Sequence, residues 1–162
     1  MPNNHKDIDV TDHKILQILQ THGRITNSEL SKQLGMSPPP TLERVKKLER
    51  RGYIDKYVAL VNPRKIGVTC FTYVEVTLIR HGSTPLERFK AAILKMDEVM
   101  ECHHITGEAD FLLKVATHDI PAYEEFIIHK LTALADVQHL KTLVVLSTIK
   151  QETRLPVTSK KE

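Results

Sequence analysis

The sequence has little cysteine and no run of apolar residues that approaches the ~18 needed to cross a membrane. Cys70 and Cys102 are the two cysteines, and they form no CxxC motif, which excludes a disulfide framework and a zinc ribbon. Both lie in segments of apolar pattern, so we predict two buried thiols in a reducing compartment. Residues 1–7 lack the apolar stretch of a signal peptide. We therefore expect a cytoplasmic protein without membrane contact.

Motifs for catalysis and for cofactor binding are also missing. The chain shows no glycine-rich phosphate loop and no spacing typical of a nucleophilic triad. It has nine histidines, two of which follow Cys102 directly. In a strand, Cys102 and His104 share one face and His103 points to the other, so the three cannot bind one ion. The sequence therefore predicts no enzyme, no cofactor and no metal site.

The positive charge of the chain is concentrated in its first part. The chain has 162 residues, 41% of them hydrophobic, which leaves room for two small domains. Residues 1–62 contain ten Lys and Arg against seven Asp and Glu, whereas residues 63–162 contain thirteen of each. Most of the excess lies in residues 44–51. A basic stripe on a helix is typical of phosphate binding, although charge alone leaves a solvated helix face equally open.

The N-terminal third predicts three short helices. The first begins near Thr11 and presents Ile15, Leu16, Ile18 and Leu19 on one face. The second begins with a capping box between Thr26 and Glu29 and ends at Gly35. Ser37 caps the third, and three prolines fill its first turn, where missing N–H groups cost nothing.

The second and third helices are arranged as a helix-turn-helix. Leu42, Val45 and Leu48 are predicted to pack inward, with the cations on the opposite side. The third helix would then lie in a DNA major groove. A plain three-helix bundle is the alternative, but it does not explain the cations. Residues 53–62 predict one or two short strands, as a small wing or a linker.

The remaining hundred residues predict the order β-α-β-β-α-β of a ferredoxin-like sandwich. The predicted strands are 68–80, 99–106, 111–117 and 137–149, and Pro85 and Pro121 stand at the two helix starts. The predicted helices present to the sheet Leu86, Phe89, Ile93 and Leu94, then Tyr123, Phe126, Ile127 and Leu131. The other sheet face is left open and apolar, which favours dimerisation through it.

Several motifs resemble the Lrp/AsnC (feast/famine) family of transcription regulators. They are the run from Gly23 to Ser31, the run from Ser37 to Val45, Arg50-Arg51-Gly52-Tyr53-Ile54, and Thr106-Gly107-Glu108-Ala109-Asp110-Phe111. The resemblance spans residues 7–155. It implies an α+β protein with a winged helix-turn-helix in residues 1–62 and a ferredoxin-like ligand-sensing domain in residues 63–155. Residues 156–162 are expected to be a flexible tail.

The resemblance also implies partners and sites. The partners are double-stranded DNA, an amino-acid effector and further copies of the chain, as a dimer and as an octamer, in association with the nucleoid. The DNA-contacting residues are expected to be Asn27, Ser28, Ser37, Pro39, Thr41, Arg44, Lys46, Lys47, Arg50 and Arg51. Of these, Ser37, Pro39 and Thr41 would lie nearest the bases and Arg44 would bind guanine. The effector is expected at His104, Thr106, Gly107, Glu108, Ala109 and Asp110.

Two departures and two alternatives accompany this interpretation. Glu108 stands where the family more often has Asp, and Phe111 where it often has Tyr. Sirohaem decarboxylases resemble the same family without DNA binding, but the basic helix is not needed in such an enzyme. An architectural DNA-binding protein without an effector is the other alternative. A change in DNA binding or assembly on addition of an effector distinguishes these functions.

Overall fold

The computed structural model describes residues 8–79 and 83–157. The chain divides into two compact units. The first contains residues 1–60 together with residues 150–162, and the second contains residues 61–149. The division lies near the predicted boundary at residue 62, and by their contacts residues 150–155 group with the first unit.

The first unit contains the three predicted helices: α1 Val10–Thr21, α2 Asn27–Leu34 and α3 Pro38–Arg50. Each helix supplies one buried hydrophobic residue, namely Ile15, Leu30 and Leu48, and Leu16, Ile18 and Leu19 pack around them. α2 begins with the predicted capping box and ends at Gly35, whose φ of 66° is readily adopted by glycine. Residues 53–62 form no strand, so the predicted wing strands are not found in the described part of this unit.

The start of α1 differs from the prediction. Asp9, not Thr11, is its N-cap, and its carboxylate accepts a hydrogen bond from the Asp12 N–H at 2.9 Å. The Asp12 carboxylate in turn accepts a hydrogen bond from the Asp9 N–H at 3.4 Å, which completes a capping box. The sequence pattern Asp-Val-Thr-Asp offers both Asp9 and Thr11 as caps, and the reciprocal bond favours Asp9.

The second unit is the predicted sandwich. Its described elements are a 3₁₀ turn Pro63–Ile66, β1 Cys70–Leu78, α4 Ser83–Ile93, β2 Val99–His104, β3 Phe111–Thr117, α5 Ile120–Phe126, a π-helical turn Ile127–Leu131, and β4 Val137–Val144. The strand order is β2-β3-β1-β4, and every neighbouring pair is antiparallel. The helices pack on one face, where the rings of Phe89 and Phe111 lie 4.7 Å apart between centroids.

Two predicted core residues are exposed instead. Leu94 follows the end of α4 and is 87% exposed. Cys102 lies on β2, an edge strand with neighbouring chain on one side only, and its thiol is exposed, whereas Cys70 is buried. The prediction of two buried thiols is thus wrong for Cys102. Partial burial nevertheless raises the pKa of this thiol.

The open face of the sheet is less apolar than predicted. Phe71, Tyr73 and Leu143 form an apolar end. Beside it, cross-strand ion pairs join Lys114 to Glu101 at 2.7 Å and Lys141 to Glu75 at 3.1 Å. The Lys114 ammonium also lowers the pKa of the Glu101 carboxyl. This face is therefore amphipathic and not a continuous apolar patch.

The segment before residue 158 is held against α1 within the first unit. The Gln20 side-chain amide forms two hydrogen bonds with the Leu155 backbone, accepting from its N–H at 2.6 Å and donating to its carbonyl at 3.2 Å. The Gln17 amide donates to the Val157 carbonyl at 2.8 Å. Leu155 and Val157 line an open groove of about 310 Å³ with Leu16, Leu19, Tyr53 and Ile54. The anchored segment, residues 155–157, thus includes the first two residues of the predicted tail 156–162, and residues 158–162 lie outside the described residues.

No helix in the described ranges is long and apolar enough to cross a membrane.

We predict that Gln20→Ala releases this segment. Loss of both hydrogen bonds should make the Leu155 amide exchange with solvent about thirtyfold faster, since each such bond contributes ~1 kcal/mol. Hydrogen exchange of the full chain measures this rate. Gln33→Ala, an exposed glutamine on α2, is the matched control and should leave the rate unchanged. Equal rates in both variants would show that Gln20 does not hold the segment.

Candidate DNA-binding and effector sites

The N-terminal turn of α3 is built from three consecutive prolines. Pro38, Pro39 and Pro40 have no N–H, and the first backbone bond of the helix runs from Thr41 N–H to the Ser37 carbonyl at 3.4 Å. Ser37 is the predicted N-cap, but its hydroxyl makes no capping hydrogen bond. The reason is that the residues which would donate to it are prolines. The Ser37 hydroxyl therefore remains exposed at the tip of the helix.

The inward side of α3 carries two residues that we expected at DNA. Thr41 is 0% exposed and its hydroxyl donates to the Ser37 carbonyl at 3.0 Å. A residue without exposed surface cannot reach a base or the groove wall, so the prediction for Thr41 is wrong.

Arg44 is the second such residue, and it lies in an ion pair between helices. Its guanidinium donates to Asp9 at 2.6 Å and to Asp12 at 2.8 Å. Asp12 is 2% exposed, so this cation neutralises a buried carboxylate. Both hydrogen bonds come from Nη1 and the Arg44 side chain is 32% exposed, so the binding of guanine by Arg44 stays a prediction. Within the domain, Arg44 fastens α3 to the start of α1.

The ion pair is reflected in the pKa values of its members. Desolvation pushes the pKa of Asp9 upward, but hydrogen bonds from the Asp12 N–H and from Arg44 outweigh it and hold this pKa below its usual value. Hydrogen bonds to Asp12 and Asp9 raise the pKa of the Arg44 guanidinium. Both groups are therefore charged throughout the physiological range.

Asn27 also serves the packing of the helices. Its side-chain amide donates to the Pro38 carbonyl at 2.8 Å and so joins the start of α2 to the start of α3. This contact gives Asn27 a positioning role, and its predicted DNA contact stays a prediction. Ser28, on the same turn of α2, is exposed as a DNA contact requires.

The outward side of α3 retains the other predicted residues. Pro39, Lys46, Lys47 and Arg50 are exposed at helical spacing. Leu42, which we predicted in the core, is 40% exposed and belongs to this side. Lys46 pairs with Glu43 at 3.4 Å, and the Arg51 guanidinium lies over the Tyr53 ring, 5.7 Å from its centroid. We name this surface the basic face of α3, defined by Pro39, Leu42, Glu43, Lys46, Lys47 and Arg50.

The predicted effector residues form the turn between β2 and β3. Gly107 has φ of 124°, a conformation that a side chain would strain, and Thr106 and Glu108 are exposed beside it. His104, at the end of β2, stacks on the Phe111 ring at 5.0 Å between centroids. Ala109 is half-buried. The structure thus brings these residues to one end of the sheet.

Asp110 anchors this turn to β1. Its carboxylate accepts a hydrogen bond from the Leu78 N–H at 2.8 Å, and its own N–H donates to the Val76 carbonyl at 2.9 Å. The Asp110 carbonyl accepts from the Ile105 N–H at 3.0 Å. Asp110 is therefore a structural residue of the turn, whatever further contact it makes with an effector.

The histidine–cysteine run does not converge. The ring of His103 contacts Glu101 at 3.2 Å on the open face of the sheet, whereas His104 stacks on the face that carries the helices. In residues 8–79 and 83–157, no group of three His, Cys, Asp or Glu side chains could hold a metal ion.

Comparisons with known proteins agree for both units. Residues 8–55 match the family model of a winged helix-turn-helix DNA-binding domain, and residues 72–155 match that of the Lrp/AsnC ligand binding domain. The chain is 43% identical over 152 residues to the leucine-responsive regulatory proteins of Salmonella typhimurium and of Escherichia coli K12. The match covers 94% of this chain and 93% of each relative.

Solved structures give the same result. A transcriptional regulator of Neisseria meningitidis in complex with L-Met superposes with a TM-score of 0.89 at 38% identity, covering 92% of this chain and 96% of that one. The AsnC protein of E. coli superposes with a TM-score of 0.83 at 29% identity, covering 90% and 97%.

The fold and the two sites define a DNA-binding regulator with a ligand-binding domain. The chain belongs to the Lrp/AsnC family of transcription regulators. The predicted α+β fold, with a helix-turn-helix followed by a four-stranded antiparallel sheet and helices, is confirmed.

We predict that Arg44→Met destabilises the first unit by about 1–3 kcal/mol, because it leaves the buried Asp12 carboxylate unpaired while Arg44 itself is partly solvated. Since the pKa of folded Asp9 is lowered, the stabilisation it provides is present above pH ~4 and lost as the pH falls through the folded pKa. Arg44→Met should show a smaller loss over this pH interval. Urea denaturation at several pH values measures both effects.

Lys47→Met is the control, because Lys47 lies on the same helix and is exposed. It should change the stability by no more than about 0.5 kcal/mol. In the double variant Asp12→Asn, Arg44→Met, part of the lost stability should return, since no buried charge remains. If Arg44→Met were as stable as Lys47→Met, the ion pair would not organise the domain.

Proposed function

We propose that this protein is a homo-oligomeric regulator whose assembly or DNA affinity changes when an amino acid binds to its second unit. The observation that carries the proposal is the basic face of α3, which stands free of the helix packing in the DNA-binding unit. The amino-acid effector is supported by the relatives named for leucine and by the neighbouring structure with L-Met. A ligand that binds one assembly ~10-fold better than another shifts their equilibrium by ~1.4 kcal/mol per coupled site.

In this proposal, α3 enters the major groove of double-stranded DNA. Ser28, Ser37 and Pro39 lie at the edge of the contact nearest the bases. Lys46, Lys47, Arg50 and Arg51 contact phosphates, which hold the helix in the groove without reading its sequence. Asn27, Thr41 and Arg44 support this surface from inside the domain.

The effector is proposed to bind at the turn that follows His104. Gly107 allows a ligand to approach the backbone closely, and exposed amides there can receive its carboxylate. Glu108 is the better partner for the α-ammonium group, because the Asp110 carboxylate is already bonded to the Leu78 N–H. Thr106 is exposed on the same turn and can donate a hydroxyl.

Dimerisation is proposed to use the open face of the sheet. Its apolar end at Phe71, Tyr73 and Leu143 favours burial, and the adjacent ion pairs can set the register of two copies. A dimer also supplies two DNA-binding units, as a palindromic site requires. The proposal has three further parts. Dimers associate to an octamer, the protein lies in the cytoplasm with the nucleoid, and it has no enzymatic activity.

Thermal unfolding in the presence of each of the twenty amino acids tests the effector. An amino acid at 100 times its Kd should stabilise the native protein by ~2.7 kcal/mol. Glu108→Gln should abolish this stabilisation, because it removes the charge that pairs with the α-ammonium group. Glu124→Gln, an exposed glutamate of α5, is the control and should retain it. If no amino acid stabilised the protein, the effector would belong to another chemical class or be absent.

DNA binding as a function of salt tests the phosphate contacts. We predict that Lys47→Ala weakens binding to all duplexes to a similar degree and lowers the slope of log K against log salt by ~0.9, the value for one phosphate contact. Fluorescence anisotropy of a labelled duplex measures the slope. Lys95→Ala, at an exposed lysine of the second unit, is the control for a general change in charge. A slope equal to that of the wild type would remove Lys47 from the contact.

A further inference from the structure

The basic face of α3 changes in character along the helix. Its C-terminal half carries the cations Lys46, Lys47 and Arg50, whereas its N-terminal half carries Pro39 and Leu42. Glu43 lies between the two halves, and its side chain is 65% exposed. The cations require phosphate groups nearby, so the apolar half of the same face is directed toward DNA as well.

The first three helical residues of α3 have no backbone donors to offer to DNA. An ordinary helix N-terminus presents free N–H groups, which bind phosphates. Here three prolines remove these groups, and the first remaining N–H, of Thr41, already bonds to the Ser37 carbonyl. Beside Ser37, the part of the tip that lies on the basic face therefore offers DNA the apolar surfaces of Pro39 and Leu42.

Glu43 places this tip over the bases rather than over the sugar–phosphate backbone. A carboxylate next to phosphates is repelled, and Lys46, at 3.4 Å, offsets this charge only in part because both side chains are largely exposed. Residues 42 and 43 are therefore best accommodated over the groove floor, between the two phosphate strands. The thymine methyl group is the one apolar group that the major-groove edges of the base pairs present.

We propose that Leu42, supported by Pro39, is a specificity-determining residue that recognises thymine through its 5-methyl group. The proposal rests on the proposed entry of α3 into the major groove. Pro39 loses no side-chain entropy on contact and Leu42 loses little. An apolar contact here therefore costs little conformational entropy. Specificity at this part of the site then comes from methyl burial, whereas Arg44 is held toward α1 by its bonds to Asp9 and Asp12.

Replacement of thymine by uracil tests the proposal, because it removes only the methyl group. The wild-type full chain is first used to enrich sequences from a randomised duplex pool. The best duplex is then remade with single uracils, and each Kd is measured by fluorescence anisotropy. At one or two positions the uracil should weaken wild-type binding about fourfold, the effect of one buried methyl group.

Leu42→Ala should remove this difference, so that thymine and uracil duplexes bind the variant equally within experimental error. Because Leu42 is exposed, the variant should fold as the wild type does, which circular dichroism checks. Leu94→Ala is the matched control: Leu94 is 87% exposed in the second unit, and its variant should keep the full effect of uracil.

Three results would overturn the proposal. The uracil effect could be the same in Leu42→Ala and in the wild type. It could be absent at every position of an enriched duplex, which would leave sequence-specific binding intact but exclude recognition of the methyl group. Alternatively, the wild type could enrich no sequence, in which case the proposed DNA recognition fails as well. A changed sedimentation coefficient of Leu42→Ala with an unchanged uracil effect would assign Leu42 to contacts between copies.

Discussion

The ion pair of Arg44 with Asp9 and Asp12 determines which side of α3 faces outward. A buried carboxylate costs several kcal/mol unless a cation satisfies it, and Asp12 is almost completely buried. Arg44 therefore lies toward α1, on the side of α3 that also buries Thr41 and Leu48. Lys46, Lys47 and Arg50 are exposed on the other side. The surface proposed to contact DNA is thus opposite the contact that holds α3 to α1.

In the second unit, the turn between β2 and β3 is likewise positioned by a carboxylate that bonds to a neighbouring element. The Asp110 carboxylate bonds to the Leu78 N–H, so the turn is tied to β1 and not only to its own hairpin. Gly107 adopts its positive φ next to this anchor. A ligand at the turn therefore meets a preorganised backbone, which lowers the entropy that binding must overcome.

Periodicity and turn chemistry predicted most of the fold. The capping box at Thr26, the proline start of α3 and the alternation of β1 agree with the structure to within two residues at the element ends. The strand order of the sandwich follows from the order of its elements. The absence of wing strands could not be predicted, because residues 53–62 have strand-forming composition and strand formation depends on a pairing partner.

The wrong predictions at the candidate site arose because residues of α3 were assigned to the inward or the outward side by polarity alone. Arg44 lies four residues before the buried Leu48, and Asp12 lies three residues before the buried Ile15. Opposite charges on the inward stripes of two neighbouring helices indicate an internal ion pair, and this signal was present in the sequence. Leu42 was assigned to the core because it is apolar, although it lies on the flank of the helix, away from Leu48. The position of Asp110 relative to Leu78 depends on strand pairing and could not be read from either segment alone.

The anchored segment at residues 155–157 has a consequence for chimeric proteins. The chain leaves the DNA-binding unit after residue 60 and returns to it at residue 150, so the ligand-binding unit is an insertion between two parts of one domain. Exchange of this unit between relatives therefore needs two crossover points, one near each of these residues. A chimera with a single crossover would combine the α1 of one parent with the anchoring segment of the other. The contacts of Gln17 and Gln20 would then depend on how well the α1 of one parent fits the anchoring segment of the other.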